Sequence, residues 1–241
     1  MRDGWSTRKM VRQIVLSRAY QLSSQYNEAS WNADPENLLL WRAHRRGVPA
    51  ESIRDSILSI SGQLDLSPDG SPVEGLGTLV TQNVADEKQI ERKETLHRSV
   101  YLPIIRSQLP PMLVVFDFAD PDLVVGRRPV TNVPAQALLL LNSPFVMEQA
   151  EIAADRVRSS VAKKNDGDST DARTIIEQTY ELVLSRRPTS IEIDRAEEFL
   201  EAATRSDDAA TDNVKGDPKV MSALGQLIHT LFASAEFRML E

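Results

Sequence analysis

The chain has 241 residues, a formal net charge of −7, and 41% hydrophobic against 26% charged residues, which suits one large or two small soluble domains. That acidic total argues against a general nucleic-acid binder, which presents a basic face, although a local basic patch is compatible with it. With no cysteine, the chain itself supplies no disulfide, thiolate nucleophile, cysteine zinc site or covalent haem attachment. No stretch approaches the roughly 18 apolar residues that a membrane span needs.

The opening residues, Met1-Arg-Asp-Gly-Trp-Ser-Thr-Arg-Lys-Met10, have neither the apolar core nor the small-residue cleavage site of a signal peptide. The chain as it stands is therefore expected in the cytoplasm. Met10, Val11, Ile14, Val15 and Leu22 recur at helical spacing and predict a helix from near Ser6 to near Leu22. Asp34-Pro35 reads as an oxygen cap followed by proline at the first helical position, opening a helix that runs to about Arg46 and stops at Gly47. A third helix starts at Pro49, places Ile53, Ile57, Leu58 and Ile60 on one side, and ends at Gly62. Asp65 to Gly77 is loop, and the charged residues 84–97 are either an exposed helix or a connection.

Ser99–Ile105 favours a short extended piece; Met112–Phe118 fits helix or strand, the two prolines before it and Asp120-Pro121 after it suiting a short helix. Pro134–Leu141 and Pro144–Arg158 read as helices, residues 163–170 as a surface linker. Ile175, Ile176, Tyr180, Val183 and Leu184 mark a helix that stops at Arg187-Pro188. Thr189-Ser-Ile-Glu192 is a capping box opening the next one, through Leu200. A polar linker over 204–218 precedes the amphipathic stripe of Val220, Leu224, Leu227, Ile228 and Leu231. The expected fold is mainly α: an irregular multi-helix domain with a short extended segment and a C-terminal three-helix unit. Residues 1–160 form its main helical domain around the central block, and 171–241 a C-terminal helical unit packed on it.

The central block is the most distinctive part. Arg98-Ser-Val-Tyr-Leu-Pro-Ile-Ile-Arg106 runs through Leu109-Pro-Pro-Met-Leu-Val-Val-Phe-Asp-Phe-Ala-Asp-Pro121 and Val124-Val-Gly-Arg-Arg128 to Val133-Pro-Ala-Gln-Ala-Leu-Leu-Leu-Leu-Asn-Ser-Pro-Phe145. With it, Asp34-Pro-Glu-Asn-Leu-Leu-Leu-Trp-Arg-Ala-His-Arg-Arg46, Ile53-Arg-Asp-Ser-Ile-Leu-Ser-Ile-Ser-Gly62, Leu184-Ser-Arg-Arg-Pro-Thr189 and Leu231-Phe-Ala-Ser-Ala-Glu-Phe237 make the chain resemble the planctomycete-specific PSD-one family, domain of unknown function 1553. The resemblance implies architecture more than activity. Such domains end large exported proteins that carry an upstream cytochrome-c-like module and a further uncharacterised domain. Those modules are not in this sequence, and Gly4-Trp5-Ser6 falls partway through the family pattern, so the expectation is a truncated or separately encoded C-terminal piece. The resemblance places the parent protein in an exported or periplasmic setting.

Arg42, Arg45, Arg46, Arg54, Arg98, Arg106, Arg127 and Arg128 lie in those family-like segments. An arginine fork holds carboxylate or phosphate through two parallel hydrogen bonds, so the cluster reads as an anion site for a sulfated or carboxylated sugar. The other reading pairs the arginines with Asp55, Asp117, Asp120 and Asp122 to set loop geometry, as buried charges must be paired. Asp117 and Asp120 read first as structural caps, with an acid–base pair or a hard-cation site as the alternatives. Asp65-Leu-Ser-Pro-Asp-Gly70 imitates the start of a calcium loop but has Leu76 where the bidentate glutamate belongs. His44, His97 and His229 have no ligand spacing, and neither a Gly-x-Ser-x-Gly elbow nor a phosphate-binding glycine loop occurs. Trp5, Trp31 and Trp41 suit core packing better than a sugar platform, and Tyr101 either faces the arginines or satisfies a buried carbonyl.

These residues support a non-catalytic binding or interdomain module. Its candidate contacts are Arg98, Tyr101, Arg106, Asp117, Asp120, Arg127, Arg128 and Asn142. The partner is a protein or the parent's upstream domains, with an anionic glycan as the alternative ligand and no cofactor or metal implied. The rival is a polysaccharide hydrolase or lyase using Asp117 or Asp120 with an arginine clamp.

Overall fold

The structure, a computed structural model, describes residues 4–68, 95–102, 104, 109–164, 171–210 and 221–240. Among these residues the chain forms ten α-helices and a single two-stranded antiparallel sheet, a mainly α protein. In chain order the elements are α1 (Thr7–Val15), α2 (Glu28–Ala33), β1 (Arg46–Gly47), α3 (Ala50–Ser61), a 3₁₀ turn (Ser99–Tyr101), α4 (Pro111–Val115), α5 (Pro134–Asn142), α6 (Pro144–Lys164), α7 (Ala172–Leu184), α8 (Ser190–Ala210), α9 (Ala223–Ala233), α10 (Ala235–Arg238) and β2 (Met239–Leu240). Two compact units divide the chain: residues 1–47 with 239–241, and residues 48–238.

In the smaller unit α1 opens as expected, with Ser6 accepting the Lys9 N–H, but it stops at Val15. The Ser17 hydroxyl donates to the Ile14 carbonyl at 2.7 Å, and that local bond replaces the next turn of the ladder. The helix expected over residues 35–46 is absent. Asp34 ends a helix instead of starting one: α2 is capped by Asn27, which accepts the Ser30 N–H at 2.9 Å, and Asp34 follows its last residue. The Asp34 carboxylate then accepts the N–H groups of Leu38 (3.0 Å) and Leu39 (2.8 Å). Asn37 and Leu40 take φ of 55° and 54°, which breaks any helical run. Trp41, expected on a helix face, sits in this turn and donates its indole N–H to the Asp34 carbonyl at 2.9 Å. Arg42 lies over Trp41 and Trp31, 4.7 and 5.6 Å from their ring centroids. β1 pairs with β2 through Arg46–Leu240 and Gly47–Met239.

The larger unit is built on α6. Val146, Ala150, Ala153, Ala154, Val157 and Val161 recur at helical spacing and are all essentially buried. The three alanines keep that face shallow, so α3 and α9 both lie against it with Ile53, Ile57, Leu224, Ile228 and Phe232 in the core. Helix α3 forms as predicted and ends at Gly62, whose φ of 80° is the left-handed cap that glycine adopts without strain. Arg156 of α6 donates to the Ser59 and Ile60 carbonyls, both at 2.7 Å, closing the free acceptors of that helix end. At the start of α9, Glu151 accepts the Ser222 N–H at 3.0 Å. The approach is so close that a Cβ at Gly225 would meet the Glu151 Oε2 at 2.1 Å.

Helices α7, α8 and α9 pack on one another as the C-terminal three-helix unit. The capping box is present: the Glu192 N–H donates to the Thr189 Oγ1 at 3.3 Å and the Thr189 N–H to Glu192 Oε2 at 2.7 Å. Helices α6 and α8 run on to Lys164 and Ala210, past their expected ends at Arg158 and Leu200. Ser99–Tyr101, expected as extended, is a 3₁₀ turn. Most of the predicted segments 65–77 and 84–97, and the remainder of both polar linkers, lie outside the described residues.

Arg186 ties this end together. It donates to Glu192 at 2.9 and 2.7 Å and to Glu236 at 2.5 and 2.7 Å, with its guanidinium 5.6 Å from the Tyr180 ring. Its hydrogen bonds to Glu192, helped by those from Thr189, hold that carboxyl down to about 2 from the ordinary 4.5. A depressed folded-state pKa stabilises the fold fully above about pH 4.5, and the contribution is lost as the pH falls toward 2. Glu192→Gln should therefore lower the melting temperature at pH 7 and flatten its fall between pH 4.5 and 2. The neutral-pH loss should be only about 1 kcal/mol, because solvent screens this partly exposed pair. In urea unfolding, Ile228→Ala in the core should cost about 2–5 kcal/mol, whereas Leu39→Ala, at an exposed site, should stay within about 0.5 kcal/mol.

Candidate functional site

Helix α3 organises the central block through three successive polar contacts. Arg54 is 8% exposed, and its guanidinium donates to the His97 carbonyl (2.9 Å), the Ser99 hydroxyl (3.3 Å) and the Thr95 carbonyl. Its neighbour Asp55 accepts the Ser99 N–H at 2.7 Å and lies 3.6 Å from the Arg98 Nε. One turn earlier, Glu51 takes two hydrogen bonds from Arg128 Nη1, at 2.8 and 2.9 Å. Glu51 and Asp55 stand four residues apart on one helix face, so Arg98 and Arg128, from opposite parts of the block, converge on one acidic ridge.

Beyond α4 the chain reverses at Asp117, whose φ of 60° is a conformation that aspartate tolerates better than most side chains. Its carboxylate accepts the Thr131 N–H at 2.6 Å and the Thr131 hydroxyl at 2.9–3.0 Å. Asp120 accepts the Asp122 N–H at 2.9 Å, closing a side-chain turn. The Arg128 guanidinium stacks on Phe118, 4.5 Å from the ring centroid. Buried Gln136 donates to the carbonyls of Val115 and Thr131 at 3.2 and 3.3 Å. The loop between α4 and α5 is thus fastened at Asp117, Asp120 and Arg128.

The candidate residues divide accordingly. Asp117 and Asp120 are engaged inside the loop, Arg128 is bonded to Glu51 of α3, and Arg98 is exposed beside Asp55. Tyr101 is half-buried in the 3₁₀ turn, and Arg127 is exposed. Asn142 donates to the Leu138 carbonyl of its own helix at 2.7 Å. Arg106 lies outside the described residues. Asp65 accepts the Ser67 N–H at 2.8 Å as a plain turn does, while the later calcium-loop positions lie outside the described residues. Among the described residues no three His, Asp or Glu side chains are grouped to hold a metal ion, and no helix is long and apolar enough to cross a membrane.

Sequence reasoning missed Glu51 and Thr131, the partners of Arg128 and Asp117, because both pairings bridge long separations. It also missed what the fastened loop exposes. Leu123, Val124, Val125, Val130 and Val133 all stand in solvent, and Leu138 and Leu141 on α5 are exposed as well. Apolar runs such as these ordinarily predict burial, so only the pinned loop geometry reveals them as surface.

A family model described as PSD1, protein of unknown function (DUF1553), matches residues 1–200. The match ends before the Leu231–Phe237 block. Neither a curated protein nor a solved structure matches the chain.

Removing the buried arginine should be the costly change in this region. Arg54→Ala leaves the Thr95 and His97 carbonyls without their donor and takes away one of the two arginines beside Asp55, leaving Arg98. It should lower stability by about 3 kcal/mol in urea unfolding, against at most about 0.5 kcal/mol for exposed Arg127→Ala.

Proposed function

We infer, given that the chain belongs to the PSD1 family of proteins of unknown function (DUF1553), that it serves as a non-catalytic interaction module docking a protein partner through its central block. The observation that carries this reading is the fastened loop between α4 and α5, with its row of exposed Leu123, Val124, Val125, Val130 and Val133. Exposed apolar surface of this kind, rimmed by polar groups, is characteristic of protein interfaces. The loop is held by Asp117–Thr131, Asp120–Asp122 and Arg128–Glu51, so docking would cost little ordering entropy. Arg98, Tyr101, Arg127 and Asn142 would form the polar rim, with Arg106 a further contact proposed from sequence. Resemblance to a family with upstream modules favours a domain of the same parent architecture as partner.

The arginine chemistry supports this reading over an anionic-glycan site, since Arg98 and Arg128 each face a carboxylate of α3. The engagement of Asp117 and Asp120 in loop hydrogen bonds likewise favours an architectural role for them over acid–base work. Hydrogen exchange tests the proposal on this chain alone and mixed with the upstream domains of a multi-domain family member. Protection should appear over residues 121–133 and vanish in the Val124→Asp, Val130→Asp double variant. Unchanged exchange across that loop in the mixture rejects the reading. Turnover of a polysaccharide that Asp117→Asn abolishes, with the melting temperature held, would install the hydrolase or lyase in its place.

A further inference from the structure

We propose that α1 lies in the surface of an anionic phospholipid bilayer, apolar face inward, and holds the protein there. Helix α1 buries none of its residues. Met10, Val11, Ile14 and Val15 fall within an arc of about 140° at helical pitch, and each is exposed, Met10 at 54% and Ile14 at 51%. Arg8, Arg12 and Lys9 occupy the adjoining arc. The buried residues among 4–47 are Ser24 and Asn37, both polar, and Leu22, Trp41 and Ala43 are half-buried, all of them outside α1, so this stripe is not the inner face of a small core.

Charge selects the occupant. Between Gly4 and Asn27 the chain carries Arg8, Lys9, Arg12 and Arg18 and no acidic residue, in a protein whose net charge is −7. A protein groove would have to supply matching acids at each of these positions, whereas an anionic bilayer presents negative charge continuously to any basic residue near it. Trp5 is 83% exposed immediately before the helix and Tyr20 is exposed just after it, the aromatic type that settles at headgroup level. A helix of nine residues is about 13 Å long, far short of a bilayer core, so it would lie in the interface rather than cross it. The smaller unit adds a second exposed apolar element, Leu38, Leu39 and Leu40. This inference does not depend on the docking loop of the larger unit, and either can fail without the other.

The test is sedimentation of the full chain with vesicles of phosphatidylglycerol and phosphatidylcholine in equal parts, and with phosphatidylcholine alone. The chain should pellet with the anionic vesicles, and salt should weaken the binding. Arg8→Gln and Arg12→Gln should each lower the partition coefficient about fivefold. Ile14→Glu should lower it at least tenfold, roughly the effect of placing a charge in the buried apolar stripe. Ile191→Glu, at an exposed isoleucine of α8, should leave it unchanged. All four variants should keep the parent melting temperature, since α1 contributes nothing to the core and Ile191 is exposed on α8. A chain that stays in the supernatant with anionic vesicles overturns the proposal and leaves a protein partner as the occupant of α1. Binding that Ile14→Glu leaves intact, or that is equal on pure phosphatidylcholine, overturns it too.

Discussion

The alanine face of α6 is the constraint from which the rest of the larger unit follows. Helices can approach closely only where their side chains are short or interlock, and Ala150, Ala153 and Ala154 bring α3 and α9 onto the same helix from different directions. Polar contacts then set the ends of those two helices relative to α6. Arg156 closes the last carbonyls of α3, and Glu151 receives the N–H of Ser222, the cap residue of α9, beside a glycine that leaves it room. With α3 placed, Glu51, Arg54 and Asp55 are placed as well, and the central block has somewhere to anchor.

Charge is put to two different uses in this molecule. In the central block arginines and carboxylates meet within the fold, where each charge-assisted bond satisfies a group that burial would otherwise penalise. Arg54 spans three acceptors in the 95–99 segment, and Arg128 combines a carboxylate with an aromatic face. Beside exposed Arg98 and Arg127, that block offers solvent the apolar side chains of Leu123, Val124, Val125, Val130 and Val133. In α1 the balance is reversed: basic side chains flank an apolar stripe, and both stand in solvent. The α4–α5 loop thus exposes an apolar row, and α1 an apolar stripe with basic flanks.

Periodic apolar patterns and caps were legible along the chain, since each depends on residues only a few positions apart. Helix α3 with its glycine stop, the short α4, the helices beginning at Pro134 and Pro144, and the Thr189–Glu192 box all follow from local rules. The stretch after Asp34 did not, because an aspartate before proline can cap a helix or receive turn N–H groups equally well. Which one occurs depends on whether the next residues stay helical, and Asn37 and Leu40 do not. The block around Arg98–Asn142 was recognisable as unusual and as family-like, but its internal wiring was not.

By itself, then, the sequence determined the helical class, most helix starts, the absence of cysteine chemistry and the resemblance to the family, because composition and short-range spacing carry all of these. Tertiary structure alone decided that Arg128 meets Glu51, that Asp117 holds Thr131, and that the valines between them face outward. It likewise decided that the apolar face of α1 is left bare. The physical reason is common to all four. Each depends on which surfaces the core leaves uncovered once distant helices have packed, and periodicity specifies an apolar face without specifying what, if anything, covers it.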